Sequence, residues 1–279
     1  MNLIGIMQGR LSAPRDGRIQ SFPIESWQRE FELARQAGLA CLEWVYEESS
    51  ETQNPLRTEA GLATICRLSQ DTGVKVLSIC ADYYMTQQLL TQQGTVRTGV
   101  VSHLRWLIGR AGLLGAHHVV LPWVDASSLR SLREPQAVVP LLQLVLPAAE
   151  ESDVELHLET DLAPEILGAL MQQLDHPRIR VTYDMGNSAC LGYDPATELP
   201  AIRAWLGSVH VKDRLLGGGS VPLGHGAVDF PGVFRELHDM GYQGCLILQA
   251  ARDPQLTEVA LAARNRQLIE EHLLAAATH

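Results

Sequence analysis

Short apolar runs alternate with segments of helical periodicity along the whole of this 279-residue chain. Short apolar runs are typical of buried strands, and apolar residues spaced three and four apart are typical of helices. The predicted strands are 3–8, 41–46, 75–80, 117–123, 154–159, 179–184, 208–212 and 245–249. The predicted helices are 26–36, 57–71, 96–114, 134–151, 163–174, 197–205, 231–240 and 256–274. This regular alternation predicts an α/β protein with a parallel sheet.

The number of strand–helix units decides between the two common parallel folds. Eight units in about 250 residues fit a (β/α)8 barrel, whereas a doubly wound open sheet usually has fewer strands. Glycine is favoured where a helix ends. Five glycines stand between a predicted helix and the next strand: Gly38, Gly73, Gly115, Gly207 and Gly241. No linker divides the chain, so we expect one (β/α)8 TIM barrel domain over residues 1–279.

Composition and charge exclude several classes of protein. Five cysteines are an odd number and show no CxxC spacing, which predicts reduced thiols and a cytoplasmic location. No apolar stretch approaches the roughly 20 residues of a membrane span, and the first residues lack the basic flank of a signal peptide. A net charge of −10 opposes binding to nucleic acid. We therefore expect neither a membrane nor a nucleic acid as a partner. A homo-oligomer is compatible with the sequence.

Four polar residues lie at or near the ends of consecutive predicted strands: Glu159, Asp184, His210 and Gln249. The carboxyl ends of barrel strands meet at one mouth, where the active sites of such barrels lie. Taken singly, a buried histidine is often a core residue, and a strand-end aspartate often caps the next helix. Their parallel positions favour one divalent ion instead. Three oxygen donors and one imidazole indicate Mn²⁺ or Mg²⁺ rather than Zn²⁺.

Six sequence stretches carry a wider resemblance. They are IMQGRLSAPRDGRIQSFP, LHLETD, YDMGNSACLGYDP, VHVKDR, VPLGHGAVDF and GYQGCLILQAAR. Together they resemble the xylose-isomerase-like superfamily of sugar-phosphate isomerases and epimerases, over residues 3–252. The resemblance implies a metal held by Glu159, Asp184 and His210, with Glu159 also removing a carbon-bound proton.

Two positions depart from the pattern of that superfamily. Gln249 stands where related ketose epimerases carry a second glutamate, and a carboxamide can bind a metal but cannot accept a proton. Asn187 stands where many relatives carry a histidine that contacts the substrate or a further metal. A second acid/base would then have to come from His225 or Lys212. One-base isomerisation or dehydration therefore ranks above 3-epimerisation.

Further residues at or just after strand ends are candidates for binding the substrate. They are Arg10, Glu43, Trp123, Asn187, Asp213, Arg214 and Arg252. An arginine fork suits a phosphate or a carboxylate, although Arg10 and Arg252 could instead pair with Glu43 or Asp213. Trp123 could pack on a sugar face. The partner predicted by this set is a small sugar or sugar phosphate.

The activity predicted from these residues is that of a divalent-metal-dependent sugar or sugar-phosphate isomerase or epimerase. Glu159 would abstract a proton next to a carbonyl, and a metal-chelated enediolate would form. One alternative is an inosose-dehydratase-like lyase, because dehydration needs the same first proton abstraction. Another is a non-catalytic barrel that binds metal and sugar phosphate.

The floor of the barrel should hold one buried ion pair. Glu155 and Arg180 each lie four residues before a predicted ligand, on neighbouring strands, so both are expected to point inward. A buried charge without a partner is costly. We therefore expect these two side chains to pair.

Overall fold

The computed structural model describes residues 2–15, 17–132 and 134–278. Within these ranges, eight parallel strands close into a barrel, in which the last strand pairs with the first. The barrel strands are β1 (Ile4–Met7), β2 (Cys41–Val45), β3 (Lys75–Cys80), β4 (His118–Trp123), β5 (Glu155–Thr160), β6 (Ile179–Asp184), β7 (Leu206–Val211) and β10 (Leu246–Leu248). The prediction of a (β/α)8 barrel is confirmed.

Helices surround the barrel and cover the apolar outer faces of its strands. They are α1 (Trp27–Gln36), α2 (Glu59–Thr72), α3 (Tyr83–Thr86), α4 (Thr98–Leu114), α5 (Val138–Glu151), α6 (Pro164–Leu174), α7 (Met185–Leu191), α8 (Pro195–Ile202), α9 (Phe230–Asp239) and α10 (Glu258–Ala276). Single 3₁₀ turns lie at Glu48–Gln53, Pro55–Arg57, Asp125–Ser127, Leu129–Ser131 and Pro135–Ala137. No helix within the described ranges is long and apolar enough to cross a membrane.

Two elements at the barrel mouth were not predicted. Helix α7 begins directly after β6, because the Asp184 carboxylate accepts a 2.8 Å hydrogen bond from the backbone N–H of Asn187 and so caps the helix. A short antiparallel hairpin, β8 (Asp213–Arg214) with β9 (Ser220–Val221), follows β7. Both elements place polar side chains over the mouth.

One of the five predicted helix ends, at Gly207, is wrong. Gly38, Gly73, Gly115 and Gly241 have φ between +67° and +78°, which is the left-handed conformation expected after a helix. Gly207 instead lies within β7. A Cβ at this position would come within 2.4 Å of Cε1 in the His157 ring. Its glycine is therefore required by packing inside the barrel.

The floor of the barrel is built on two stacked imidazoles. The rings of His118 and His157 lie 3.8 Å apart with an interplanar angle of 5°. Burial lowers the pKa of His157 to about 3, with the nearby Arg180 acting in the same direction. Burial also lowers the pKa of His118 well below its ordinary value, and His157 adds to that effect. Both rings are therefore neutral at physiological pH.

The predicted pair of Glu155 and Arg180 is present, but it is not buried. Arg180 Nε lies 3.9 Å from Glu155 Oε1, and each side chain is 34% exposed. The closer partner of Glu155 is His157, whose Nε2 lies 2.9 Å from Glu155 Oε2. The strand ends at the floor open towards solvent, so the two charges keep much of their hydration.

Candidate metal centre

Three ligand-type side chains meet at the mouth of the barrel. Glu159, Asp184 and His210 are buried, and one donor atom from each lies within 4.8 Å of the others. The strand register explains this meeting, because Asp184 and His210 are direct partners across β6 and β7, while Glu159 is paired with Thr182 on β6. Side chains two residues apart on a strand share a face, so Asp184 and Thr182 both point inward.

A second carboxylate orients the ring of His210. Glu43 Oε1 lies 2.8 Å from His210 Nε2, and Ser78 Oγ donates a 2.6 Å hydrogen bond to Glu43 Oε2. His210 Nδ1 is buried, has no hydrogen-bond partner and lies 3.7 Å from Glu159 Oε2. In the neutral ring, with Nε2–H donated to Glu43, Nδ1 presents its lone pair to the cluster, which is the usual arrangement behind a metal-binding histidine. Glu43 thus lies behind His210.

Gln249 supplies another unpaired acceptor. It comes directly after β10, where Ile247 is the register partner of His210, so Gln249 lies on the same inner face. Its Nε2 donates a 2.9 Å hydrogen bond to Gln20 Oε1. Its Oε1 is buried and has no hydrogen-bond partner.

The unpaired atoms decide whether a cation suits this cluster. Buried polar atoms without partners are rare in folded proteins. Two of them, His210 Nδ1 and Gln249 Oε1, are acceptors on the same face as two buried carboxylates. A divalent cation at the cluster would give His210 Nδ1 a partner, and Gln249 Oε1 is a further acceptor on the same face; the mainly oxygen donor set favours a hard ion. The residues present therefore fit such an ion.

Asn187 links this cluster to the basic residues beside it. Its Nδ2 donates to Glu159 Oε1 at 3.1 Å, and its Oδ1 accepts from Lys212 Nζ at 3.2 Å and Arg214 Nη1 at 2.9 Å. Lys212 Nζ also lies 3.2 Å from Asp184 Oδ2. Lys212 therefore contacts the cluster directly, and Arg214 is linked to it through Asn187.

The two carboxylates of the cluster differ in their proton affinity. Burial raises the pKa of Glu159 above its ordinary value, although His210 acts in the opposite direction. At Asp184 burial also acts to raise the pKa, but Lys212 and His210 outweigh it and leave the pKa lowered. Asp184 therefore stays ionised, while Glu159 has the greater affinity for a proton.

The predicted arginines after β1 and β10 lie together at one edge of the mouth. Arg10 Nη2 donates to Gln20 Oε1 at 3.2 Å. Arg252 donates to the Gly9 carbonyl at 2.7 Å and to Glu258 at 3.3 Å. The alternative pairing of these arginines with Glu43 or Asp213 is wrong, because both carboxylates are engaged elsewhere.

Three other predicted residues have no bond to the cluster. Asp213 accepts hydrogen bonds from the backbone N–H groups of Gly224, Gly226 and Val228, at 2.9, 2.8 and 3.2 Å, and so anchors a loop. His225 lies exposed in that loop. Trp123 is buried and lines a separate cavity of about 120 Å³.

Sequence reasoning missed two residues at the mouth. Gln20 Nε2 donates to Asp82 Oδ2 at 2.7 Å, while Gln20 Oε1 accepts from Arg10 and Gln249. Asp82 comes two residues after β3, so the rule that located Glu159 would also have found it. Gln20 lies in the long loop between β1 and α1, where no sequence periodicity indicates the direction of a side chain.

A family model described as xylose isomerase-like TIM barrel matches residues 31–272. The chain belongs to this family. The resemblance inferred from the sequence motifs is thereby confirmed. A curated relative, L-ribulose-5-phosphate 3-epimerase UlaE of Salmonella heidelberg (strain SL476), is 26% identical over 261 residues, which cover 90% of this chain and 92% of that protein. Because such relatives are epimerases, the predicted isomerase class is also confirmed.

Two solved structures share the whole fold of this chain. A structure of L-ribulose 3-epimerase has a TM-score of 0.74 at 19% identity and covers 100% of this chain and 96% of its own. The IOLI protein with a bound zinc atom has a TM-score of 0.72 at 14% identity and covers 99% of this chain and 98% of its own. These similarities establish the architecture on which the cluster is built.

Proposed function

We propose that the protein is a divalent-metal-dependent isomerase or epimerase of a ketose or ketose phosphate. The observation that carries this proposal is the buried cluster of Glu159, Asp184 and His210, with the unpaired acceptors His210 Nδ1 and Gln249 Oε1 on the same face. The name of the relative that acts on L-ribulose 5-phosphate supports a phosphorylated substrate. We also propose a cytoplasmic location, because the five cysteines are free thiols, as is usual in a reducing compartment.

The residues that would hold the ion are Glu159, Asp184, His210 and Gln249. When bound, a divalent ion supplies Lewis acidity that favours negative charge on the oxygens of a carbonyl sugar. We propose Mn²⁺ or Mg²⁺ for this position because three of the four donors are oxygen atoms.

Glu159 is the residue we propose as the proton acceptor. Its carboxylate is buried at the mouth, and without a metal ion this burial raises its pKa above the ordinary value. The hydrogen bond from Asn187 Nδ2 fixes one of its oxygens, Oε1. Glu159 can therefore hold a proton taken from the carbon next to a carbonyl.

The fate of that proton decides the type of reaction. Return by Glu159 to a neighbouring carbon gives aldose–ketose isomerisation, and Gln249 favours this course because its amide cannot accept a proton. Inversion at one carbon needs a group on the other face. Lys212, in contact with Asp184 and Asn187, is the candidate for that group, and the epimerase names of the relatives support inversion. His225 is exposed in a loop, which weakens its candidacy.

Exchange of carbon-bound hydrogen tests the proposal directly. The Mn²⁺-loaded protein is incubated in deuterated water with a panel of ketoses and ketose 5-phosphates, including L-ribulose 5-phosphate, and deuterium incorporation is measured by NMR. We expect exchange that Glu159→Gln abolishes and that Glu165→Gln, on the outer helix α6, leaves unchanged. Absence of exchange across the panel would favour a non-catalytic binding barrel, and release of a dehydrated product would favour a lyase.

A further inference from the structure

Arg10 is a buried cation that lacks a partner for most of its donor groups. Its side chain follows β1, and the residue is 7% exposed. One nitrogen, Nη2, donates to Gln20 Oε1, while Nε and Nη1 have no hydrogen-bond partner. Within the described ranges no carboxylate forms an ion pair with it. A buried guanidinium without an anion is costly, so this arrangement requires an explanation.

The head of Arg10 lies at the mouth, next to the proposed metal ligands. Gln20 Oε1 accepts hydrogen bonds from Arg10 Nη2 at 3.2 Å and from Gln249 Nε2 at 2.9 Å, so the two side chains are joined by one oxygen atom. Their strands β1 and β10 are also neighbours, with Ile6 opposite Leu248. Arg10 and Gln249 therefore share one edge of the mouth.

A second arginine adds to the positive charge at this edge. Arg252 donates to the carbonyl of Gly9, the residue before Arg10, and its Nε is buried without a partner. Burial lowers the pKa of Arg10 to about 10, and repulsion from Arg252 acts in the same direction, while Asp82 and Asp184 act in the opposite one. Glu258 lies 3.3 Å from Arg252 and pairs with it, whereas Arg10 has no such partner and leaves two nitrogens, Nε and Nη1, without a hydrogen bond. The two arginines thus share this edge with the carboxylates of Asp82, Asp184 and Glu258, and none of these forms an ion pair with Arg10 within the described ranges.

We propose that Arg10, with Arg252 beside it, forms an oxyanion subsite that binds the phosphate group of the substrate at the β1/β10 edge of the mouth. This inference rests on the proposed function only in taking the anion to be part of a sugar phosphate. Phosphate offers several strong acceptor oxygens to the rigid guanidinium donors. The unpaired acceptors of the cluster thus favour a cation, and the unpaired donors of Arg10 favour an anion beside it. Gln20 is the positioning residue that joins the two.

Phosphate binding tests the subsite independently of turnover. Isothermal titration calorimetry with inorganic phosphate is carried out on the full-length protein, both loaded with Mn²⁺ and after treatment with a chelator, because phosphate could also bind the metal. We expect binding in both states, and Arg10→Met should weaken it about 10- to 100-fold, as for the loss of hydrogen bonds to a charged group. Arg235→Met, an exposed arginine on α9, is the matched control and should bind phosphate as the unmodified protein does.

Further variants and ligands make the result decisive. Arg10→Lys keeps the positive charge but loses the guanidinium fork, so it should bind phosphate with intermediate affinity. If the melting curve shows that Arg10→Met is poorly folded, Arg10→Lys still tests the subsite. Equal phosphate affinity in Arg10→Met, Arg10→Lys and the unmodified protein would overturn the subsite. Acetate binding that depends on Arg10, without phosphate binding, would overturn the assignment to phosphate in favour of a carboxylate.

The two proposals fail in distinguishable ways. If phosphate binding depends on Arg10 while no ketose exchanges its hydrogen, the subsite holds and the proposed isomerase does not. If exchange occurs while phosphate binding is indifferent to Arg10, the isomerase holds and the subsite does not. A matching drop in kcat/KM for a ketose 5-phosphate, but not for the free ketose, would support both.

Discussion

Asn187 Nδ2 donates a 3.1 Å hydrogen bond to Glu159 Oε1, and this contact fixes the carboxylate that we propose as the base. The orientation of the amide is unambiguous, because its Oδ1 accepts from both Lys212 and Arg214. Two cations thus determine which way Asn187 points, and Asn187 in turn determines the position of Glu159. Asn187, which stands where many relatives carry a histidine, therefore supplies an amide that orients Glu159.

Replacing Asn187 should impair catalysis much more than metal binding. For Asn187→Ala we expect kcat to fall about 10- to 100-fold, the usual effect of removing a group that orients a metal ligand. Metal content should be retained, since the proposed ligands remain. Asn54→Ala is the control. Asn54 is buried and hydrogen-bonded to Trp44 and to the Val45 carbonyl, so this variant should have a lower melting temperature and an unchanged kcat. Unchanged kcat in Asn187→Ala would contradict the orienting role.

Glu43 should be needed for metal affinity. Its carboxylate accepts from His210 Nε2 at 2.8 Å and so keeps Nδ1 available to a cation. We expect Glu43→Gln to weaken Mn²⁺ binding about 10- to 100-fold, measured by calorimetry. Glu59→Gln, at a largely exposed carboxylate that pairs with Arg110, should leave the affinity unchanged. If Glu43→Gln raised KM and left metal affinity intact, Glu43 would be a substrate contact, as first expected from the sequence.

Removing a proposed ligand should abolish the metal. Elemental analysis of purified Asp184→Ala and His210→Ala should find no stoichiometric divalent ion. Asp161→Ala, which loses a carboxylate bonded to Ser128 just after β5, should keep full occupancy. Full occupancy in both ligand variants would show that the cluster is not a metal centre.

Gln249→Glu should change the type of reaction. The glutamate keeps an oxygen donor and adds a group that can accept a proton. We expect retained metal and new or faster epimerisation of ketoses, followed by NMR of the products. If the unmodified protein already epimerises a ketose rapidly, and Lys212→Ala and His225→Ala do not slow it, the argument from the missing carboxylate is wrong.

The stacked imidazoles of the barrel floor should make the protein sensitive to acid. The pKa of His157 in the fold, about 3, lies below the unfolded value near 6.5, so the unfolded chain binds more protons between these values. Stability is therefore fully present above pH 6.5 and falls as the pH is lowered towards 3, by up to about 1.4 kcal/mol per pH unit for each histidine. His118→Phe keeps a stacked ring, and its melting temperature should fall less between pH 7.5 and pH 5 than that of the unmodified protein. His238→Phe, at an exposed histidine, should behave like the unmodified protein in this range.

Much of the site could be predicted because strands have a period of two. That period placed Asp184 and His210 on inner faces, and the barrel topology then brought them together. Helix α7 escaped prediction because Asp184 serves both as strand end and as helix cap, a double role that no periodicity reveals. The position of Gln20 depends on a long loop that is fixed by tertiary contacts with Arg10 and Asp82.

The direction of some side chains was predicted while their surroundings were not. Glu43 points inward as expected, but its partner is His210 on a strand 167 residues away in sequence. Arg180 also sits on the predicted strand near Glu155, yet both charges are partly hydrated. A pair this exposed stabilises a protein by at most about 1 kcal/mol, so Arg180→Ala should not be the severe variant that a buried pair would imply.

The contact between Gly207 and His157 means that these two positions cannot vary independently over evolutionary time. Any side chain at residue 207 would overlap the His157 ring and the Cβ atom of Arg180, so a relative with alanine there needs a smaller or displaced residue at position 157 together with a shift of the neighbouring strand β6. The ring stacked on it, His118, would then lose its neighbour. A substitution history of this floor should therefore show paired changes, and a library that randomises one of these positions alone should recover mostly the parental residue.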